Sequence, residues 1–369
     1  VTDIKSKYPN INNVFFVGCG ASQSDLYPSK YFLAKNAKRL RTEVITANEF
    51  NYDPPVTTGP ESIIITCSLG GNTPETVAAA KKARALGAPV VCLTNKADSP
   101  LAENSDYPIV HGFFESYSAK MQKLTKCLEL TAEILNQYEG YECYEDLLTG
   151  CRNIYDCIDA AIEYAAPFAK KFGESYKDDQ IIYVASSGAS QQIAYSFSSF
   201  IFMEMQWLDS ASFSTGEFFH GPFELVEKEK PYLLLVNDGP TRPMDLRALT
   251  FMERFDAKVT VVDAKDYGLD KYVPTSVKEY FSLVEKAKAI TNDIPARYTA
   301  FAEAEAYLID HALAIPYGVT VSDFVVSHLN PWEGQYAPFG VSLQRYKGQH
   351  LLDHALSMDE FNASAAEHQ

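Results

Sequence analysis

The sequence predicts an α/β protein with two tandem, doubly wound parallel sheets and a C-terminal tail. Short apolar runs recur along the first 110 residues, and several of them lead into helical patterns, as strands of a parallel sheet do. The turns after these runs are rich in glycine and serine. The same order of strand, small-residue turn and helix begins again near residue 180, which indicates an internal duplication.

Apolar runs bounded by glycine, serine or proline predict buried strands in the first half. These strands are expected at residues 13–18, 43–47, 62–67, 89–94 and 107–110. A helical pattern follows the first strand to about residue 38, and another covers 76–86. Pro74 and Glu75 suit the first turn of the second helix, where a missing N–H costs little and a carboxylate meets the positive end of the helix. Residues 1–10 are expected to form a loose lead-in.

A long helical region separates the two halves, with helix expected at 116–138 and from a hinge at 139–145 to about residue 172. In the second half, strands are expected at 180–185, 231–236 and 258–262, with a helix at 193–208 and a polar turn after it. The predicted domains are therefore 1–150, 151–265 and a helical or irregular extension, 266–369. Within the extension, residues 295–314 and 351–361 look helical and 325–345 irregular.

Composition and charge exclude several kinds of partner. The chain has 369 residues, a formal net charge of −16 and 46% hydrophobic residues, so neither nucleic acid nor an anionic membrane is an expected partner. The sequence has no apolar run long enough to span a membrane. Seven cysteines without a CxxC pair are typical of reduced thiols in a cytoplasmic protein. His350 and His354 have a spacing that could chelate a metal, but no third ligand is evident, and we expect no metal.

Two turns between a strand and a helix, residues 18–24 and 68–73, are candidate phosphate sites. Unpaired N–H groups at a helix N-terminus favour an anion there. Ser68, Asn72 and Thr73 add side-chain donors, while Gly70 and Gly71 allow the backbone to approach closely. The alternative is an ordinary turn, and residues 18–24 lack the third glycine of a dinucleotide fingerprint. We favour phosphate binding at 68–73.

Three residues of the second half are candidates for acid–base chemistry. Glu204 lies in a strongly apolar helical segment, where a buried carboxylate is costly unless it is hydrogen-bonded, paired or functional. Burial would suit a general base, although a structural role is equally compatible with the composition. His220 follows Glu217 by three positions, close enough for this carboxylate to orient the imidazole. The other histidines, including His111, are expected to be solvated.

The turns at 18–22 and 68–76, together with the block Gly-Glu-Phe-Phe-His-Gly-Pro at 216–222, resemble the sugar isomerase (SIS) family. The resemblance covers about residues 12–265. The sequence is most similar to the bacterial fructosamine-6-phosphate deglycases of that family, which act on fructoselysine, glucoselysine or fructose-asparagine 6-phosphates. This resemblance implies flavodoxin-like SIS domains. It also implies an enzyme that needs no cofactor. The isomerase half of glucosamine-6-phosphate synthase is a more distant relative.

The resemblance also implies roles for individual residues. The family's catalytic glutamate stands sixteen positions before the histidine of the His-Gly-Pro block, which corresponds here to Glu204 and His220. Ser22, Ser68, Gly70 and Thr73 match positions that hold the sugar and its phosphate. In the synthase the histidine comes from a neighbouring subunit, so a homodimer in which His220 crosses the interface is implied.

This chain departs from the synthase in three places. Leu69 and Gly70 replace polar residues, so the phosphate would depend more on backbone N–H groups. No nucleophilic cysteine stands at the start of the sequence, so we expect no ammonia from glutamine. The lysine-bearing tail of the synthase is also absent, and Arg345-Tyr346 is the nearest match to the terminal block of the deglycases.

Three functions stay open at this point. The first is cleavage of a ketosamine 6-phosphate, an Amadori product, to an aldose 6-phosphate and a free amino acid. The second is aldose–ketose isomerisation or deamination of an amino-sugar phosphate, which the same proton transfers would serve. The third is a phosphosugar sensor without catalysis, which would need neither Glu204 nor His220.

Overall fold

The structure is a computed structural model that describes residues 1–268 together with Lys271 and Pro274. The chain divides into two compact units, Val1–Tyr307 and Leu308–Gln369, and every described residue belongs to the first. The expected helices at 295–314 and 351–361, the irregular segment at 325–345, Arg345-Tyr346 and the pair His350 and His354 all lie outside the described residues.

The described residues form nine strands and ten α-helices. The strands are β1 (Asn13–Gly18), β2 (Arg41–Thr46), β3 (Ser62–Cys67), β4 (Val90–Thr94), β5 (Tyr107–Val110), β6 (Ile181–Ser186), β7 (Asp209–Ser214), β8 (Pro231–Val236) and β9 (Lys258–Asp263). The helices are α1 (Thr2–Lys7), α2 (Gly20–Asn36), α3 (Ala47–Tyr52), α4 (Pro74–Ala85), α5 (Pro100–Glu103), α6 (Tyr117–Lys120), α7 (Gln122–Glu139), α8 (Tyr144–Tyr176), α9 (Gln191–Ser196) and α10 (Arg242–Arg254).

Two parallel sheets carry the fold. The first has the order β2-β1-β3-β4-β5, which is the flavodoxin-like order, and the second has β7-β6-β8-β9. The order around β6 repeats the order around β1, so the expected tandem, doubly wound architecture is confirmed. The domain boundary near residue 150 lies in α8 and remains a proposal.

Both faces of the first sheet are covered, as its fully buried strands β1, β3 and β4 require. Neighbouring residues of β1 point to opposite faces. Val14 and Phe16 pack in one core cluster with Leu26 and Leu33 of α2. Phe15 and Val17 pack in a second cluster with the alanines of α3 and α4.

Three expectations for individual elements are wrong. Residues 2–7 are helical because Ile4 is buried in the first core, which holds the segment in place. Residues 209–214, expected as a polar turn, form the edge strand β7, which is paired along one side with β6. The helix expected at 193–208 is α9 followed by a π-helix, Phe197–Met205, and Trp207 then turns the chain with a φ of 55°.

Helix α2 packs against α9 and the short turn before it, Gly188–Ser190, and this packing joins the two halves. A methyl group placed on Gly20, at the start of α2, would lie 3.6 Å from Cε1 of Phe200. One placed on Gly188, just before α9, would lie 3.4 Å from the hydroxyl of Tyr31, in the middle of α2. The chain therefore runs in opposite directions along the two helices, and the turns after β1 and β6 lie toward opposite ends of the helix pair.

Candidate functional site

The turn between β3 and α4 closes on itself through its own side chains and backbone. The hydroxyls of Ser68 and Thr73 are hydrogen-bonded at 2.9 Å, and the N–H of Gly71 donates to the carbonyl oxygen of Ser68 at 3.1 Å. Thr73 is the N-cap of the twelve-residue helix α4, while Asn72 is exposed. The predicted residues Ser68, Gly70, Asn72 and Thr73 thus surround a helix N-terminus, which favours an anion.

Ser22 lies in the first turn of α2, beside this turn. Strands β1 and β3 are neighbours, and Gly18, which ends β1, is in register with Cys67, which ends β3. The two predicted loops therefore leave the same edge of the sheet from adjacent strands, where α/β proteins bind ligands. The structure brings the predicted phosphate-binding residues of both loops to one place.

Three charged or titratable residues near this edge were missed by the sequence analysis. Lys123 forms a largely buried ion pair with Asp25, which follows Ser22 by less than one helical turn. His111, expected to be solvated, is only 3% exposed, so that expectation is wrong. It directly follows β5 at the carboxyl edge of the sheet. From this position the sequence could have predicted that His111 lies near the site.

We expect His111 to make the free energy of unfolding depend on pH. Burial is the main reason that the pKa of His111 lies below its ordinary value, and Lys123 and Lys126 lower this pKa further. The carbonyl of Gly112, which accepts from Nδ1 at 2.8 Å, and Asp25 act in the opposite direction. Below pH about 6.5 the unfolded chain takes up a proton that folded His111 does not, so stability falls as pH falls.

This prediction is checked by urea unfolding of the wild type and His111→Asn between pH 8 and 5. The wild type is expected to lose more stability than the variant on acidification, because the remaining groups titrate alike in both proteins. Parallel curves would show that His111 does not contribute.

Glu204 lies one residue before the end of the π-helix and its side chain is exposed. The expectation of a buried carboxylate is therefore wrong for the single chain. The apolar neighbours that suggested burial are themselves exposed, with Met203 at 42%, Met205 at 66% and Trp207 at 91%. Glu204 is thus surrounded by an exposed apolar surface, and it follows Phe200, which contacts Gly20, by about one helical turn.

His220 ends a short 3₁₀ turn, Phe218–His220, that follows β7. The imidazole is exposed, and its backbone N–H donates to the carbonyl oxygen of Glu217 at 2.9 Å. Phe218 is fully buried in a core cluster of the second sheet, with Tyr232 and Phe251, and this fixes the turn against the sheet. Glu217 is also exposed, so its proposed role in orienting the imidazole stays a prediction.

The structure does not bring Glu204 and His220 together within one chain. Glu204 is near the end of the helical segment that leads back to the start of β7, whereas His220 follows the other end of β7. Six strand residues, a rise of about 17 Å between the first and the last, lie between these two points. Glu204 is on the side of the phosphate loops, and His220 is at the opposite edge.

The described residues show no group of three or more His, Cys, Asp or Glu side chains arranged to hold a metal ion. Within the same part of the chain, no helix is long and apolar enough to cross a membrane. All seven cysteines are free thiols.

Comparison with known proteins identifies the family. The SIS domain family matches residues 7–111. The chain is 37% identical to fructosamine deglycase FrlB of Bacillus subtilis, over 76% of this chain and 84% of that protein. It is 24% identical to fructoselysine 6-phosphate deglycase of Escherichia coli K12, over 69% of this chain and 74% of that protein.

Solved structures agree with this assignment. A candidate phosphosugar isomerase from Salmonella typhimurium LT2 is 41% identical, covers 76% of this chain and 84% of its own, and superposes with a TM-score of 0.72. The C-terminal domain of glucosamine-fructose-6-phosphate aminotransferase from Francisella tularensis, at 19% identity, covers 75% of this chain and 79% of its own and shares the fold with a TM-score of 0.64. The chain therefore belongs to the SIS family and is an enzyme of the kind that includes the fructosamine deglycases.

Proposed function

We propose that this chain cleaves a ketosamine 6-phosphate to glucose 6-phosphate or a related aldose 6-phosphate and a free amino acid. The observation that carries the proposal is the contact between the two halves. Gly20 of the phosphate-loop edge lies against Phe200, about one turn before Glu204. A sugar whose phosphate binds at Ser68–Thr73 and Ser22 can therefore reach toward Glu204. The names of the relatives supply the substrate class.

The proposed reaction needs only acid–base groups and water. His220 assists opening of the sugar ring, and Glu204 removes a proton from C1 to give an enaminol. A proton then returns at C2, and the double bond moves to C1 and the nitrogen as an imine. Water adds to this imine and releases the amino acid, so no electrons are exchanged with a cofactor.

We also propose that the active site is completed by a second copy of the chain. Glu204 and His220 lie toward opposite ends of β7, so a single chain cannot bring both to one sugar. The exposed apolar side chains of Met203, Met205 and Trp207 around Glu204 are suited to burial in a subunit interface. Such an interface would also exclude water from Glu204, which favours its action as a base. A homodimer with His220 donated across the interface meets both requirements.

A cytoplasmic location is part of the proposal, since seven free thiols are typical of a reducing compartment.

Phosphosugar isomerisation is the second candidate function, favoured by the 41% identity to a candidate phosphosugar isomerase. Its chemistry would use the same proton transfers between C1 and C2 but would leave no imine to hydrolyse.

Product analysis decides between the two. The purified protein is incubated with 6-phosphorylated ketosamines that carry lysine, linked through its α- or ε-amine, asparagine or aspartate. Mass spectrometry then follows the sugar phosphate and the amino acid. Stoichiometric release of free amino acid is expected. Interconversion of aldose and ketose phosphates without amine release would favour isomerisation, and release of ammonia from an amino-sugar phosphate would indicate a deaminase.

A further inference from the structure

A buried carboxylate lies beneath the turn that carries His220. Asp245, on α10, is fully buried. Its Oδ1 accepts from the hydroxyl of Thr215 at 2.6 Å. Its Oδ2 accepts from the backbone N–H of Asn237 at 3.1 Å and from the Asn237 side-chain amide at 2.5 Å. A carboxylate away from water is costly unless such hydrogen bonds satisfy it, so this arrangement holds both partners firmly.

The two partners begin the turns that follow two strands of the second sheet. Thr215 follows β7 and starts the segment that leads to His220, while Asn237 follows β8. The backbone N–H of Thr215 also donates to the carbonyl oxygen of Ser186 at 2.9 Å, and the Asn237 amide lies 2.9 Å from the hydroxyl of Ser187. Asp245 therefore ties the segment of His220 to the ends of β6 and β8.

The rest of this segment rests on the same helix. Phe218 meets the ring of Phe251 edge-on, with 6.0 Å between the ring centroids. Phe219 packs between Phe251, at 5.4 Å, and Arg247, whose guanidinium carbon lies 3.9 Å from the ring centroid. The aromatic contacts fix how far the segment lies from α10. The hydrogen bond between Asp245 and Thr215 is directional, and it fixes the end at which the segment leaves the sheet.

We propose that Asp245 is a positioning residue for His220, acting through Thr215. The catalytic role of His220 in this inference rests on the proposed function, whereas the hydrogen bonds of Asp245 do not depend on it. Loss of the carboxylate would remove the side-chain anchor of Thr215, while its backbone N–H stays bonded to Ser186, so the five residues that follow would start from a less firmly fixed point. Misplacement of a catalytic group by about 1 Å can lower the rate about 100-fold. Phosphate binding would be unchanged, because the phosphate loops belong to the other sheet.

Three variants and one matched control test the proposal. Thr215→Val removes the hydroxyl but keeps the volume, and Thr215→Ser restores the hydroxyl. Asp245→Asn cannot accept from all three donors at once. The control, Asp263→Asn, changes a carboxylate that also bonds α10, through Arg242 at 2.7 Å and 2.5 Å, but that belongs to the end of β9 and not to the His220 turn.

The readouts are kcat, KM and hydrogen exchange of a peptide covering residues 215–221. Thr215→Val and Asp245→Asn are expected to lower kcat by about 100-fold with KM little changed, and to speed exchange in this peptide. Thr215→Ser and Asp263→Asn are expected to behave like the wild type. If Asp245→Asn does not fold, Thr215→Val alone decides.

Normal kcat and normal exchange in folded Thr215→Val would overturn the positioning role while leaving the proposed function intact. Absence of amino-acid release by the wild type would overturn the proposed function. In that case hydrogen exchange still shows whether Asp245 holds the turn, because this readout needs no turnover.

Discussion

Replacing Glu204 by Gln is expected to lower kcat for amino-acid release by about 100- to 10,000-fold, the range that a general base contributes. The amide has nearly the same shape as the carboxylate but cannot take a proton from C1. The phosphate loops are untouched, so the affinity for glucose 6-phosphate is expected to stay close to that of the wild type. Steady-state kinetics and calorimetric titration with glucose 6-phosphate measure the two quantities separately.

Glu253→Gln is a matched control, because Glu253 is also an exposed glutamate on a helix of the second half. It is expected to leave both quantities unchanged. Turnover by Glu204→Gln at the wild-type rate would show that another group is the base.

Mixing inactive variants extends this prediction to the composite site. In a dimer that shares His220, a hybrid of one Glu204→Gln chain and one His220→Asn chain has one site with both defects and one intact site. Random reassortment of equal amounts is then expected to restore about 25% of the wild-type activity, since half of the dimers are hybrids and half of their sites are intact. Continued inactivity after subunit exchange, shown with differently tagged chains, would contradict donation across the interface.

The buried strands could be predicted from sequence because both faces of a doubly wound sheet are covered. The segments 13–18, 62–67 and 231–236 each contain a run of at least three consecutive apolar residues, and the structure gives them these same bounds. Strand β7 could not be found in this way. It forms an edge, contains three serines and an aspartate, and is held by backbone pairing to β6.

Residues of the candidate site could be predicted where they directly follow the end of a strand. They could not be predicted where residues distant in sequence are brought together by packing. Ser68 and Thr73 are close in sequence and their hydroxyls meet. Lys123 and Asp25, by contrast, come from helices that only the packing of the first sheet brings together. The exposure of Glu204 was missed because apolar neighbours in sequence do not tell whether a helical surface faces the core of its own chain.

Replacing Gly71 by Ala is expected to abolish ordered phosphate binding at the 68–73 loop. Gly71 has a φ of +66°, a left-handed conformation that costs an L-residue about 1–2 kcal/mol. Its added methyl group would also overlap the side chain of Ser99 and lie 2.9 Å from the hydroxyl of Thr94. Ser99 caps α5, and the carbonyl of Gly71 accepts from Leu101 at 3.0 Å, so the clash cannot be relieved without moving the loop.

A substitution at the neighbouring Gly70 tests phosphate binding separately from the folding of the loop. A methyl group on Gly70 would meet only the amide of Asn72, at 3.8 Å, so Gly70→Ala is expected to fold as stably as the wild type. If the phosphate approaches the backbone there, Gly70→Ala weakens glucose 6-phosphate binding without lowering the unfolding temperature, whereas Gly71→Ala lowers both. Thermal unfolding with and without glucose 6-phosphate measures each effect, since a ligand raises the unfolding temperature only of a protein that binds it. Full retention of the ligand-induced shift in Gly71→Ala would mean that the phosphate binds elsewhere, because this substitution cannot leave the Ser68–Thr73 turn in place.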